Sequence, residues 1–568
     1  MSGENAFLFE VVPYHDARIP VVRHGLGRWR ASVYLLLAVL LSAGVILAPL
    51  CATVIISFAE GFAAYDVLRD VQVLQALGNS LIWLVLAVVV CATGFGVAWL
   101  ARNAGPVSLR ILRLVLVLPA AVSPLTTGAI FRLLYDTNQR RGLFSAVLGA
   151  DVAFLGPVWI WLVLGSAFVW QWAGVAFLVF HEALARLPTN LLRMARAFGI
   201  SRARRLWSIV IPALAGPTAL AYLFALVAAA RVFDLVLMGA PGSMQAEVEG
   251  GGLFWWRHHG DLGTSRAAAL AVVLSTLVAV LALPSLAGLR GRVSWAEPST
   301  RTLTRPPAPS RRTRLVCGVV SVLWLLPFAV LVLTSVRDPI AATLSGWWSG
   351  GPWSLASYGQ VLADTGFVAA LGTTFLRAAV VVGLVLLAAV PAAYVLAHEH
   401  LLPRRAWRPA LLVAVALAAL PPQAFAVPLQ RWLSPVVGTT SALAIVHAAL
   451  VIPLAVLVLH SAFTRVATPM LARHRWELVH VVREARPAVV LAGVLAFVLV
   501  WNDAVVGLLL NWPSGDHLPL IVLEQSRHFT SSVGTLAAQS VIATAVPMAV
   551  VTLTARWLYR GLTRGVRR

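Results

Sequence analysis

Long apolar runs recur along this chain at a length that suits one environment. In the first half they lie near residues 33–57, 79–101, 111–134, 157–181, 209–232 and 266–289. In the second they lie near 315–336, 374–397, 407–430, 439–463, 487–510 and 537–559. A run of about twenty apolar residues crosses the hydrocarbon core of a bilayer as a helix. Backbone groups find no water there, so only helices and closed barrels can span it. A barrel would alternate apolar and polar residues, and these blocks are unbroken. The reading is an all-α membrane protein of about twelve transmembrane helices. The content of 60% hydrophobic and 12% charged residues excludes an ordinary soluble domain.

The formal net charge of +22 would suggest nucleic acid in a soluble chain. Here the arginines cluster in alternate loops. Arg18, Arg23, Arg28 and Arg30 precede the first run, Arg102, Arg110 and Arg113 fill the second loop, and Arg556, Arg560, Arg564, Arg567 and Arg568 end the chain. The opposite loops carry Glu60, Asp66, Asp70, Glu247, Glu249, Asp261, Asp364 and Asp516. The positive-inside rule therefore predicts a multi-pass protein of the plasma or inner membrane with both termini cytoplasmic, membrane lipid as its surroundings and no nucleic-acid partner. Residues Met1 to Arg30 are too long and polar for a signal n-region, so the first span is expected to be retained. Cys51, Cys91 and Cys317 lie in apolar runs, with neither metal spacing nor a disulfide framework.

Lysine is absent from the sequence. A phosphate-binding loop ending in Gly-Lys-Ser/Thr is therefore impossible. If ATP drives this protein, ATP and magnesium bind another chain, and no cofactor, metal or catalytic residue is expected on this one.

The segment near 291–313 is rich in proline, serine, threonine and arginine and reads as a cytoplasmic linker. It joins residues 33–290, preceded by a cytoplasmic segment 1–32, to residues 314–568. The two parts repeat each other. Ala76-Leu77-Gly78-Asn79-Ser80 opens the second span of one, and Ala370-Leu371-Gly372-Thr373-Thr374 that of the other. Pro217 begins a span reaching Phe233-Asp234, and Pro487 one reaching Trp501-Asn502-Asp503. Six spans repeated in one orientation make a pseudo-twofold dimer with a solute path between its halves.

One hydrophilic interruption stands out, within a loop spanning 182–208. Leu187 to Pro212 is basic and free of acids. Pro188 can open a short helix, Leu191, Leu192, Ala195 and Phe198 recur at helical spacing, and Gly199 suits a left-handed terminus. A second amphipathic turn, Ser201 to Ser208, follows. An ordinary solvated loop is the plain alternative.

Gly199, separated by nine residues from Ile209-Val210-Ile211-Pro212, resembles the coupling motif of ATP-binding-cassette importer permeases. Arg193-Met194-Ala195 stands where that family usually has Glu-Ala-Ala, and Phe198 where it has Asp. The runs Leu118 to Pro124, Phe131 to Tyr135, Val232 to Leu237, Pro421-Pro422-Gln423, Trp501-Asn502-Asp503 and Arg560-Gly561-Leu562-Thr563 resemble the carbohydrate, maltose-type branch. The resemblance implies a type I importer permease with both halves in one chain, two ATPase subunits as partners and an extracytoplasmic solute-binding protein. It implies ATPase coupling through Arg193, Met194, Ala195, Gly199, Ile209 and Pro212. The second coupling loop, 464–486, keeps Arg473, Trp476 and Glu477 but lacks the glycine and is roughly ten residues shorter than usual.

Phe233, Asp234, Trp501, Asn502 and Asp503 are candidates to line the substrate path, since tryptophan faces and polar side chains suit sugars. Arg231 and Asp234, three apart, can instead pair with each other, and Glu182 with Arg186. Trp255, Trp256, Trp347 and Trp348 are candidates for docking the binding protein, with a lipid-interface belt as the alternative. His258, His259 and Asp261 read as loop polarity. A fused permease for ferric iron or thiamine and an ion-gradient secondary transporter are the other functions considered.

Overall fold

The computed structural model describes residues 28–185, 187, 194–290, 310–397, 404–436, 438–464, 466, 477–510, 512–513, 515, 517–526 and 533–564. The linker between Arg290 and Ser310, and Arg193, Arg473 and Trp476, lie outside the described residues. The protein is all helical, with no strand among the described residues. Arg28–Ser42 (α1) runs through a π turn into Ala48–Ser57 (α2), followed by Val71–Ala101 (α3), Pro106–Val117 (α4), Pro124–Leu134 (α5) and Ile160–Leu184 (α6). Ala215–Ala230 (α7), Asp234–Gly239 (α8), Gly251–Leu262 (α9) and Thr264–Arg290 (α10) complete the first half. The second half comprises Arg311–Ser335 (α11), Thr365–Ala397 (α12), Arg404–Ala419 (α13), Gln423–Leu433 (α14), Thr440–Phe463 (α15), Glu477–Glu484 (α16), Arg486–Trp501 (α17), Val505–Leu509 (α18), Leu518–Ser526 (α19) and Val533–Arg564 (α20).

Among the described residues, eight helices are long and apolar enough to cross a membrane unaided, and the number reaches twelve when each of four bent pairs counts as one span. The bends fall at the third and fifth spans of both halves. They measure 106° and 71° in the first and 84° and 77° in the second. Proline accounts for their position, because it cannot donate its missing N–H inside a helix. Pro119 and Pro124 flank the first break, Pro212 and Pro217 the second, Pro421 and Pro422 form the third, and Pro487 follows the fourth. At the first break the Ser123 hydroxyl accepts the Thr126 N–H at 3.1 Å, and Pro124 opens α5 from its first turn.

Within each half the second span packs on the fourth, α3 on α6 and α12 on α15, and the fifth packs on the sixth. Small residues allow close approach, as is usual where lipid removes the hydrophobic drive between helices. At Gly94 an added Cβ would lie 2.6 Å from the Ala176 Cβ.

The leading span of each half crosses to the other. Ala31, Ala38 and Ile46 are buried in the core built by α12, α15 and their neighbours. Tyr34 meets Tyr394 edge-on with ring centroids 6.3 Å apart. Reciprocally, Cys317, Val330 and Leu331 of α11 lie in the first half's core. Trp170 of α6 donates its indole N–H to the Trp324 carbonyl at 2.9 Å.

Candidate functional site: the polar seam between the halves

Beyond the fifth spans the chain unwinds between Ala230 and Asp234 and between Trp501 and Val505, and such turns leave backbone groups without helical partners. After α17 the chain leaves the helix at Asn502 and re-enters at Val505. The Asp503 carboxylate accepts the Val506 N–H at 3.1 Å and so caps α18. The same oxygen accepts Nε2–H of His447 from α15 at 3.1 Å. The Asp503 carbonyl accepts Nε2–H of His517 at 2.6 Å. His517 Nδ1 lies 3.0 Å from Arg377 Nη1 of α12. Since Nε2 donates to a carbonyl, Nδ1 is the acceptor, and one directed chain runs from Arg377 through His517 to the broken span. Arg377, His447 and His517 are all buried.

The first half contributes Arg231 and Asp234. They do not pair with each other, contrary to the sequence expectation. Arg231 instead donates to the Ala418 carbonyl at the end of α13, at 3.1 Å. Asp234 is buried at the start of α8. Asn502 also reaches across, its amide donating to the Ala121 carbonyl at the first half's break, at 2.9 Å. Gln423 donates to the Gly252 carbonyl at 3.2 Å. Arg231 and Asn502 thus satisfy carbonyls at the third-span breaks of the opposite halves.

Of the five path candidates, Asp234, Asn502 and Asp503 sit at this seam. Trp501 and Phe233 are packed away. The Trp501 indole donates to the Ala543 carbonyl at 2.9 Å and stacks on Phe497, so it offers no free face to a sugar ring in this state. Phe233 is buried edge-on to Trp256. Arg377, His447 and His517 escaped the sequence reading, although ionisable residues within apolar runs were a signal that could have found them.

Glu182 accepts from Arg113 of α4, a residue of another span, at 2.9 Å, and Arg186, its expected partner, lies outside the described residues. Trp255 is 2% exposed, with its indole N–H on the Ala267 carbonyl, and is no docking surface in this state. Trp347 and Trp348 are half-buried against each other, while Trp353 is exposed. His258 and Asp261 lie 3.9 Å apart on one turn. Glu249, in the connection before α9, is buried 2.9 Å from Arg257. Burial pushes its carboxyl up, and Arg257 opposes that shift.

At the far end of α6 the basic loop is described from Met194. Gly199 stands at φ +70°, as its place in the sequence predicts. The Ile200 N–H bonds the Ala195 carbonyl at 3.0 Å, the long-range bond of a glycine-terminated helix. The Ser201 hydroxyl accepts the Arg204 N–H at 3.3 Å and starts the next turn. Ala195 is buried, Met194 and Pro212 are exposed and Ile209 is half-buried. Phe198 is 78% exposed and Trp207 71%. In the second half Glu477 accepts the Tyr394 hydroxyl at 2.7 Å, a contact that turns it toward its own bundle.

Residues 92–289 match the family described as the inner membrane component of binding-protein-dependent transport systems. Curated relatives include the alpha-glucoside transport system permease protein AglF of Rhizobium meliloti, 26% identical over 38% of this chain and 68% of that protein. The arabinooligosaccharides transport system permease protein AraP of Halalkalibacterium halodurans is 25% identical over 40% of this chain and 74% of that protein. Among solved structures, a bacterial ABC transporter involved in the import of alginate is 18% identical with a TM-score of 0.41, covering 47% of this chain and 96% of that one.

Proposed function

We propose, from the premise that residues 92–289 are a binding-protein-dependent transport permease domain, that the whole chain is the permease of an ATP-driven sugar importer. In this reading both permease halves, 33–290 and 314–568, are fused through the 291–313 linker. One observation carries it. The helix breaks that mark the third and fifth spans of the first half recur in the second, beyond the matched residues.

An external solute-binding protein delivers the sugar, and two separate ATPase subunits bind ATP and magnesium. Their closure rocks the halves, and the seam around Asp234, Asn502 and Asp503 opens alternately to either side. The Met194–Gly199 turn and the exposed Phe198 and Trp207 present a compact surface for the first ATPase. The absence of lysine supports placing ATP elsewhere. The arginine asymmetry supports cytoplasmic termini.

The test is purification of the chain with its partners identified, followed by reconstitution into liposomes. Saccharide uptake should require ATP inside, an ATPase partner and a binding protein outside. Uptake by the chain alone under an ion gradient would refute the reading.

A further inference from the structure

Asp503 is held at both its backbone and its side chain. Its carbonyl accepts Nε2–H of His517, and His517 is fixed in turn by Arg377. Its Oδ2 accepts both the His447 Nε2–H and the Val506 N–H, each at 3.1 Å. The other carboxylate oxygen, Oδ1, has no hydrogen-bond partner among the described residues. The Asp503 side chain is 22% exposed, although the His447 that holds it is buried. Asp234 of the first half is buried and offers no such surface.

The first half builds the corresponding place from apolar residues. The repeated stretches Ala76 to Ser80 and Ala370 to Thr374 set Trp83 where the second half has Arg377. The fifth-span helices α7 and α17 are both 16 residues long, which sets Val232 against Asp503. Gly250 precedes α9 as His517 precedes α19. The fourth spans end alike, with the Ala185 N–H on the His181 carbonyl and the Thr464 N–H on the His460 carbonyl. That alignment sets Phe168 against His447. The four first-half residues come together as the four polar ones do. Trp83 meets Phe168 edge-on with ring centroids 5.6 Å apart. Trp83, Val232 and Gly250 also line one small cavity of about 30 Å³. The fold therefore closes this node with aromatic and aliphatic packing in one half, so the charged version in the other is not needed to close it. Buried ion networks replaced by well-packed apolar residues commonly cost a protein no stability, and ionisable groups kept within apolar spans point to function.

We propose, building on the sugar-import reading above, that Arg377, His447 and His517 are positioning residues that aim Asp503, whose Oδ1 accepts a hydrogen bond from a hydroxyl group of the passing saccharide. A hydroxyl donating to a carboxylate makes one of the stronger hydrogen bonds available to a sugar. Holding the acceptor beforehand removes the cost of ordering it when the solute arrives. His517 relays the Arg377 constraint without contacting the carboxylate, and His447 fixes the oxygen that the solute does not use. The second half thus presents an oriented carboxylate, and the first half opposes it with an apolar wall at the matching position. The other charged groups of the seam, Arg231 and Asp234, belong to the first half, and Arg231 is engaged with the Ala418 carbonyl.

The experiment is calorimetric titration of the detergent-purified full chain with maltose. Asp503→Asn should weaken binding about tenfold, as loss of a charge-assisted hydrogen bond provides. His517→Leu should weaken it comparably in the parent chain and add nothing in the Asp503→Asn chain, because it acts through Asp503. His517→Gln should stay within about twofold of the parent, since a glutamine amide can both accept from Arg377 and donate to the Asp503 carbonyl. Val232→Ala, at the first-half counterpart, should leave the affinity unchanged. If His517→Leu does not fold, His447→Leu against His447→Gln is the second pair, with the same expected contrast. No maltose binding by the parent, affinity that survives Asp503→Asn, equal affinities of the leucine and glutamine variants, or a His517→Leu loss that persists in the Asp503→Asn chain would overturn the proposal. ATP-driven saccharide uptake that persists alongside any of those results leaves the importer reading standing, whereas failure of ATP-driven uptake of every saccharide refutes that reading separately.

Discussion

Ser80 and Thr374 do the same work in the two halves. The Ser80 hydroxyl on α3 accepts the Gly251 N–H at 2.8 Å, at the start of α9. The Thr374 hydroxyl on α12 accepts the Leu518 N–H at 3.0 Å, at the start of α19. Both lie at the fifth position of the repeated Ala-Leu-Gly stretch that opens the second span. The internal repeat therefore extends to individual hydrogen bonds, each tying a second span to the segment after the broken fifth span.

Ser80→Ala and Thr374→Val should each leave a backbone N–H without its acceptor, at about 1–3 kcal/mol. The two sites share no partner, so their effects should add. Thermal unfolding of the single and double variants in detergent checks this. A double variant no worse than either single would show that the sites are not independent.

Gly174 on α6 faces the Leu116 carbonyl so closely that a methyl group cannot be added without displacing backbone. Gly174→Ala should cost on the order of 1–3 kcal/mol or more and reduce the yield of monodisperse protein. Gly96 provides the control, because nothing lies within 4 Å of an added Cβ there. Gly96→Ala should be neutral or slightly stabilising, since it removes the entropy cost of glycine in a helix. Comparable losses in the two variants would count against close packing as the cause.

The Gly199 position has open space around it, so a substitution there is penalised by backbone conformation alone. Gly199→Val should cost about 1–2 kcal/mol locally and lower ATPase retention and uptake while the spans stay folded. Gly199→Asn should keep most of the activity, because asparagine tolerates the left-handed region. Pull-down of the ATPase with each variant reads the difference. Equal retention by valine and asparagine would remove φ as the reason for glycine here.

Asp503→Leu should uncap α18 and strand the His447 N–H, at about 1–3 kcal/mol. His447→Leu in the same background should recover part of the loss, because the stranded donor is then gone. A thermal double-variant cycle gives the coupling. A coupling of zero would mean that the 3.1 Å contact contributes nothing.

The spans, the repeat and the turn at Gly199 were legible because each is encoded locally, by an apolar run, a repeated stretch or a proline–glycine spacing. The break at Ser123-Pro124 was visible only as an excess of proline, since a bend of 106° depends on what α5 packs against. Side-chain partners were less legible. Arg231 found the Ala418 carbonyl in the other half rather than Asp234 three residues on. Trp501 looked like a sugar platform until its indole N–H was seen on Ala543. His447 and His517 lie 70 residues apart in sequence and meet only because α15 packs against the broken fifth span.

The crossing of α1 onto α12 and α15 bears on how the molecule is made. Tyr394, against which Tyr34 packs, emerges from the ribosome more than 300 positions after it. The leading helix must wait in lipid for its seat, and Trp170 of the first half waits 154 positions for Trp324 of α11. Two separately encoded halves would have to meet by diffusion and could also pair with their own kind. On one polypeptide the right partner is present once, in one-to-one ratio and at high effective concentration, so the reciprocal exchange of leading helices becomes an intramolecular step.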